Sequence, residues 1–366
     1  MLFCLLLAAC SQGGAEAVET ADHTLTGHMD LTYAEQFKVD YYSDGTSLIT
    51  IHDEFPFLLV PEGVSVSEET IGDAVVLQQP LHNIYQASSA MMDPFIQIGA
   101  LDQVRMTSTN ESNWALPEIL DALAKKEIIY IGKYSAPDFE TILSEGCNFV
   151  MENTMIYHSP EIKEKLETLG MPVMVEYSSY ETHPMGRLEW IKLIGLLTGK
   201  YEEAETFFEQ QQALAGDLQE AVTDKSVAYF HISTVGAAVV RKPGDYVSKM
   251  IQLAGGHYVF DHIDGQDDNA LSTMNMQMES FYAGAKDADI LIYNSTIVEG
   301  MDTIEQLIET SSVLADFKAV QSGDVWCTEH DLFQRSSAIA GMIKDFNAVI
   351  TDTAESDQLT FLHKLH

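Results

Sequence analysis

The stretch from Pro184 to Val222 restricts the fold more than any other part of the chain: it has no internal proline, and apolar residues recur with helical spacing. Leu188, Ile191, Leu193, Leu197, Ala204, Phe207, Phe208, Leu214 and Leu218 mark the apolar side, and Pro184 suits a first helical turn, where its missing N–H costs nothing. Even with a break near Gly199, this reads as one helical segment of about 35 residues, about 50 Å long if unbroken. A strut of that length is expected to join two bodies rather than to sit inside one.

The flanking sequence supplies the bodies. After a meander of two strands between Phe37 and Pro61, short Val- and Ile-rich runs alternate with helical stretches. The first half reads as strand Ala74–Leu77, helix Met92–Leu101, strand Val104–Ser108, strand Ile128–Ile131, helix Ala136–Ser144, strand Asn148–Met151, helix Pro160–Leu169 and strand Val173–Glu176. After the strut the rhythm restarts with strands Val227–Ile232 and Ala237–Val240, helices Tyr246–Ala254 and Met278–Ala285, strand Ile290–Tyr293, helix Leu314–Val320, strand Val325–Cys327 and helix Ser336–Ile350. Such alternation implies largely parallel sheets. The expected fold is α/β, with two Rossmann-like lobes (31–183 and 223–366) joined by one long backbone helix (184–222) and a ligand cleft between the lobes. A length of 366 residues suits two cores better than one.

The first residues carry a different signal. Met1 to Ala9 is an apolar run, too short to span a bilayer, that ends at Cys10 and gives way to polar residues. Leu7-Ala8-Ala9-Cys10 resembles a bacterial lipobox, in which small residues admit the signal peptidase and the cysteine thiol accepts the lipid. Residues 1–10 are therefore expected to be a lipoprotein signal, Cys10 the lipidation site, and 11–30 a tether to the outer face of the cytoplasmic membrane. No Lys or Arg precedes the run, whereas export signals open with one, which leaves the true start of the signal open. Cys147 and Cys327, far apart and without CxxC or Cys/His spacing, read as small buried hydrophobes rather than metal ligands.

Five further segments, in order, resemble the helix-linked class of substrate-binding proteins of ABC importers, which carry iron–siderophore complexes, haem and cobalamin. They are Ser135–Leu143 running on into Asn148–Met151, His183-Pro184 through Lys200, Leu253-Ala254-Gly255-Gly256, Met276–Glu279 followed by Ala288–Ile292, and Phe317–Trp326. The likeness covers most of the chain from Asp73 onward. It departs where Cys147-Asn148 and Ala288-Asp289 replace the family's Pro-Asp pairs. The resemblance implies capture of a metal chelate (ferric siderophore or haem, with a corrinoid as the alternative), delivery to a permease and its ATPase, a monomeric state and no resident cofactor. It also implies that Glu140 and Glu279, one per lobe, pair with permease arginines; both also suit a helix start.

Loops beyond the carboxyl ends of parallel strands hold ligands in such sheets. That rule selects Gln79, His82, Asn83, Lys133, Tyr134, Met155, Tyr157, His158, Tyr177, Tyr180, His183 and Arg187 in the first half, and Arg241, Lys242, Tyr246, Asn294, Trp326, His330, Phe333, Gln334 and Arg335 in the second. Flat side chains with one polar tip suit a conjugated or metal-centred ligand. Three of the four arginines fall on these loops, which points to anionic ligand groups. Tyr157-His158 also offers an axial ligand to a haem or corrinoid metal. The acid excess, 56 Asp and Glu against 19 Lys and Arg, removes the basic footprint that nucleic acid requires. No GxSxG, HExxH or Walker-type motif supports an enzyme, and nothing specific supports the remaining option, a surface adhesion lipoprotein.

Overall fold

The computed structural model describes residues 23–216, 223–263, 273–296, 298–355 and 358–366. The chain begins with a five-stranded sheet, β1 (Leu25–His28), β2 (Phe37–Tyr42), β3 (Ser47–Ile51), β4 (Phe55–Val60) and β5 (Val75–Gln78), ordered as numbered. Alternation makes it: Ser47, Ile49 and Ile51 are buried while Leu48 and Thr50 are half-buried. Neighbours are antiparallel up to β4, and β5 lies parallel to β4 after the short helix α1 (Glu68–Ile71). The expected two-strand meander is thus part of a larger sheet, and β1 occupies residues assigned to the tether.

A second sheet is fully parallel, in the order β10-β9-β6-β7-β8. Its strands are β6 (Ile84–Gln86), β7 (Val104–Thr107), β8 (Ile129–Tyr130), β9 (Val150–Asn153) and β10 (Val173–Glu176). They alternate with α2 (Met92–Gln97), α3 (Pro117–Ala124), α4 (Phe139–Ser144) and α5 (Pro160–Thr168). The run Ala74–Leu77, read as the first strand of this sheet, instead pairs with β4; the true first strand, β6, has three residues and no visible alternation.

The linking segment departs most from expectation. It contains α6 (Pro184–Thr198) and α7 (Tyr201–Gly216) rather than one rod. Gly199 adopts φ 72, and Lys200 N–H reaches back to the Gly195 carbonyl at 2.7 Å, the closed end favoured by a left-handed glycine. The chain then reverses: Lys192 Nζ lies 4.4 Å from the ring centre of Phe208, and a Cβ on Gly195 would meet the Ala204 Cβ at 2.6 Å. The stiff connection is a helical hairpin, and residues 217–222 lie outside the described residues.

The second lobe has the sheet order β14-β12-β11-β15-β16-β17, with β13 also paired to β11. The strands are β11 (Ser226–Ile232), β12 (Ala238–Arg241), β13 (His257–Tyr258), β14 (Thr273–Met276), β15 (Ile290–Tyr293), β16 (Val325–Thr328) and β17 (Leu362–Lys364). β11, β15 and β16 are parallel, while β12 and β17 run against their neighbours. The helices are α8 (Tyr246–Leu253), α9 (Met278–Ala285), α10 (Ile304–Thr310), α11 (Lys318–Ser322) and α12 (Ile339–Ile350).

Two buried carboxylates tie the N-terminal sheet to α6. Glu189, fully buried, accepts the backbone N–H groups of Thr32, Tyr33 and Ala34 at 2.7–3.1 Å and the Lys192 ammonium at 2.9 Å. Glu181 takes the next two, Glu35 and Gln36, together with the indole N–H of Trp190 at 2.9 Å. Glu189→Ala leaves the buried Lys192 and three partly buried amides without a partner, so a loss of about 3–5 kcal/mol in denaturant-measured stability is expected.

Glu152 has no such partners. It lies in β9 at 0% exposure, neither carboxylate oxygen accepts a hydrogen bond, and the Tyr85 hydroxyl is likewise unpaired. Burial pushes its pKa up to about 8, against a smaller lowering by the nearby Tyr85. Between pH 4.5, the ordinary value, and about 8 the folded chain keeps a proton that the unfolded chain has released, so stability falls as pH rises through this window. Glu152→Gln is expected to abolish that part of the slope, giving a larger rise in melting temperature over the parent at pH 8 than at pH 5.

Candidate ligand-binding cleft

The carboxyl ends of β15 and β16 face the loop that follows β7, and a cleft of about 590 Å³ opens between them. Asn113 contributes from the first lobe, and Thr296, Val298, Glu299, Gly300, His330 and Gln334 from the second. The floor is built by short-range bonding. The buried Asn294 carboxamide oxygen accepts the Thr296 hydroxyl at 2.6 Å, and Ser295 N–H donates to the Thr328 hydroxyl at 2.9 Å. His330 Nδ1 lies 3.1 Å from the Ser295 carbonyl, which requires that nitrogen to donate and so sets the ring plane.

The loop after β16 closes the cleft by gripping the other lobe. Gln334 donates to the Asn113 carbonyl at 2.7 Å and accepts from Ala115 N–H at 2.9 Å, using both ends of its amide. Ser336 donates to the Ala90 carbonyl, and Ser337 N–H donates to the buried Asp93 carboxylate at 2.8 Å. Burial raises the Asp93 pKa, against lowering by Gln97 and Ser337.

Behind this loop the lobes meet through packed rings. The Arg187 guanidinium sits 4.2 Å from the ring centre of Tyr246, beside a void of about 10 Å³, barely enough for one water. Arg241, 5% exposed, lies against Phe333 at 4.8 Å and Tyr229 at 5.6 Å, with Asp245 at 3.7 Å. Arg187 thus packs α6 onto the second lobe and Arg241 is buried within that lobe, and neither opens onto a pocket.

The residues selected from sequence therefore divide. Asn294, His330 and Gln334 belong to the cleft or its floor, and Phe333 and Arg335 to the loop that closes it. Lys133 and Tyr134 follow β8, Lys133 exposed and Tyr134 half-buried, outside the lining given above. Met155, Tyr157 and His158 are exposed beyond β9. The Tyr157 hydroxyl lies 2.9 Å from that of Tyr177, whose ring stacks on His52 at 4.4 Å and meets the tilted ring of Tyr180 at 5.1 Å. That aromatic group covers the β3–β4 turn, away from the cleft lining. His183 caps α6 by accepting Met185 N–H at 3.1 Å and stacks on Tyr33 at 4.5 Å; burial, with nearby Lys249, holds its pKa below the ordinary value.

Several assignments are corrected. Gln79, His82 and Asn83 precede β6 and so lie at the amino end of the parallel sheet, where Gln79 bonds the Leu196 carbonyl, His82 N–H the Asn148 side chain, and Asn83 the Glu145 carbonyl. The error follows from taking β5 as a strand of that sheet. Arg241 ends β12, which is antiparallel to β11, and its side chain is buried against Tyr229, Phe333 and Asp245 outside the cleft lining; Lys242 follows it. Tyr246 is buried under Arg187, and Arg335 pairs with Asp331. Trp326 lies within β16, buried beneath Lys364, rather than on a loop.

Sequence reasoning missed Asn113, Thr296, Val298, Glu299 and Gly300. Applying the strand-end rule to Val104–Ser108, and extending it past Asn294, would have reached them. Glu140 and Glu279 are exposed in the first turns of α4 and α9, as two docking charges would need to be. Cys10 lies outside the described residues; Cys147 is half-buried and Cys327 buried, both unpaired. Among the described residues no cluster of three or more His, Cys, Asp or Glu could hold a metal, and no helix is long and apolar enough to cross a membrane.

No protein-family model matches the chain. It is 25% identical over 363 residues to an uncharacterised lipoprotein of Methanocaldococcus jannaschii, covering 91% of this chain and 81% of the relative. A second uncharacterised lipoprotein of that organism is 25% identical over 350 residues, covering 91% and 86%. Among solved structures, the periplasmic haem-binding protein HutB of Vibrio cholerae superposes with a TM-score of 0.58 at 20% identity, covering 71% of this chain and 96% of that one. A periplasmic binding protein from Veillonella parvula gives 0.61 at 16% identity, covering 83% and 97%. The periplasmic vitamin B12 binding protein BtuF of Vibrio cholerae gives 0.52 at 14%, covering 74% and 96%. The chain has the fold of the periplasmic substrate-binding proteins of ABC transporters, in their helix-linked class.

The grip of Gln334 is open to test. Gln334→Ala removes two cross-lobe hydrogen bonds, worth about 1 kcal/mol each, and is expected to raise the radius of gyration in small-angle scattering of the ligand-free protein.

Proposed function

We propose that the protein is an extracytoplasmic, lipid-anchored solute-binding protein that captures a metal chelate in the interlobe cleft and presents it to an ABC permease. The observation that carries this reading is the cleft itself, set at the carboxyl ends of β15 and β16 and bridged to the opposite lobe by Gln334. A volume of about 590 Å³ suits a ligand of several hundred daltons. Solved structures with this fold include binding proteins for haem and vitamin B12 and a possible iron-binding protein, which supports a ferric siderophore, haem or corrinoid as the ligand class. Cys10 is the lipid anchor in this reading, and the lipoprotein names of the archaeal relatives support it. Glu140 and Glu279 are its docking charges, and the chain does no chemistry on its ligand.

A thermal-shift screen of haem, ferric siderophores and cobalamin tests this directly. At a hundredfold excess over Kd a true ligand stabilises the folded state by about 2.7 kcal/mol, which raises the melting temperature by several degrees. With the cognate permease reconstituted, Glu140→Lys with Glu279→Lys is expected to suppress stimulation of ATP hydrolysis while ligand affinity stays within twofold. A flat screen, or undiminished stimulation, counts against the corresponding half of the reading.

A further inference from the structure

The lining of the cleft carries information about the charge of its occupant. Among the described residues, the lining includes one carboxylate, Glu299, and no lysine or arginine. Its other polar groups are the amides of Asn113 and Gln334, the hydroxyl of Thr296 and the imidazole of His330.

The cations that would neutralise an anionic ligand are engaged elsewhere. Arg105 bonds Glu145 at 2.8 Å and the Glu127 carbonyl at 2.7 Å, beside the residues that lead into β8. Arg187 lies on Tyr246, Arg241 faces Asp245 inside the second lobe, and Arg335 Nε donates to Asp331. These are all the arginines of the chain. Many lysines are spent in the same way, among them Lys163 on Glu167, Lys225 on Asp352 and Lys318 on Asp289. The whole molecule carries a formal charge of −37, so its field raises the local concentration of cations and lowers that of anions. Enclosing an anion in a lining that holds no cation incurs the desolvation cost of a buried unpaired charge.

Building on the solute-binding reading above, we propose that the ligand is an electroneutral or cationic chelate, held by neutral hydrogen-bonding groups with Glu299 facing its positive end. Chelates that stay anionic when loaded, such as tris-catecholates and porphyrins bearing free carboxylates, are excluded by charge rather than by size. This reverses the expectation drawn from the arginine positions in the sequence.

Calorimetric titration of the purified chain with ferric complexes that share a metal but differ in charge decides it. The probes are a monocationic linear trihydroxamate, a neutral cyclic trihydroxamate and a trianionic tris-catecholate, with haem and cobalamin alongside. At least one hydroxamate is expected to bind tenfold or more tightly than the tris-catecholate. Glu299→Gln is expected to weaken the monocationic complex about fivefold more than the neutral one, the upper end of what a solvent-exposed ion pair contributes. Equal or tighter binding of the tris-catecholate or haem overturns the charge assignment and leaves the solute-binding reading standing. Silence from every probe overturns both.

Discussion

Five consecutive backbone N–H groups, from Thr32 to Gln36, end on two buried carboxylates, and much of the architecture rests on that arrangement. A segment crossing between β1 and β2 with no strand to pair with would otherwise leave its partly buried amides unsatisfied. Glu189, in α6, and Glu181, just after the short turn Ser178–Tyr180 that precedes α6, absorb them, and Lys192 and Trp190 complete the two carboxylates. The N-terminal sheet is thereby fixed to the helix that leads from the first lobe toward the second. Phe37 packs edge-on against Trp190 at 4.9 Å, so polar clamp and apolar core share the same residues of α6.

That fixed helix defines the frame in which the cleft works. Because α7 folds back along α6, the connection between lobes is two helices thick, and α12 packs against it from the second lobe. Bending such a hairpin costs more than bending one rod, so lobe movement is expected to be small and to be absorbed by the contacts of the loop after β16. Those contacts are few and polar, and all but the buried Ser337–Asp93 bond are partly exposed, as suits bonds that break and reform.

Electrostatics follows from the same economy. With roughly three acids for each base, the chain uses its cations to satisfy its own carboxylates, as Lys192 does for Glu189 and Arg241 for Asp245. The surface left over is acidic, and the cleft inherits that sign through Glu299. Glu140 and Glu279, exposed and without acid-pairing cations of their own in the described contacts, project the same sign outward at one helix start per lobe.

Local pattern alone determined the elements that bury one strong periodicity: β10, β15 and α9 fall where the apolar runs place them, and the two-lobed α/β class follows from their alternation. The strand-end rule then found His330, Gln334 and Asn294, because β15 and β16 are parallel strands whose direction follows from that alternation. Pairing partners were not legible. Nothing in Val75–Gln78 says that it joins β4, and nothing in Ala238–Arg241 says that it runs against β11, since either strand could satisfy its hydrogen bonds in several sheets. Those two choices moved Gln79, His82, Asn83 and Arg241 out of the site. A helix period also continues unchanged through Gly199, so the reversal of α7 depends on Ala204 fitting against Gly195, a contact that exists only once the chain has folded. Sequence specified which segments are apolar and how often; tertiary structure decided which edges they meet, because hydrogen-bond pairing and close packing are properties of two segments at once.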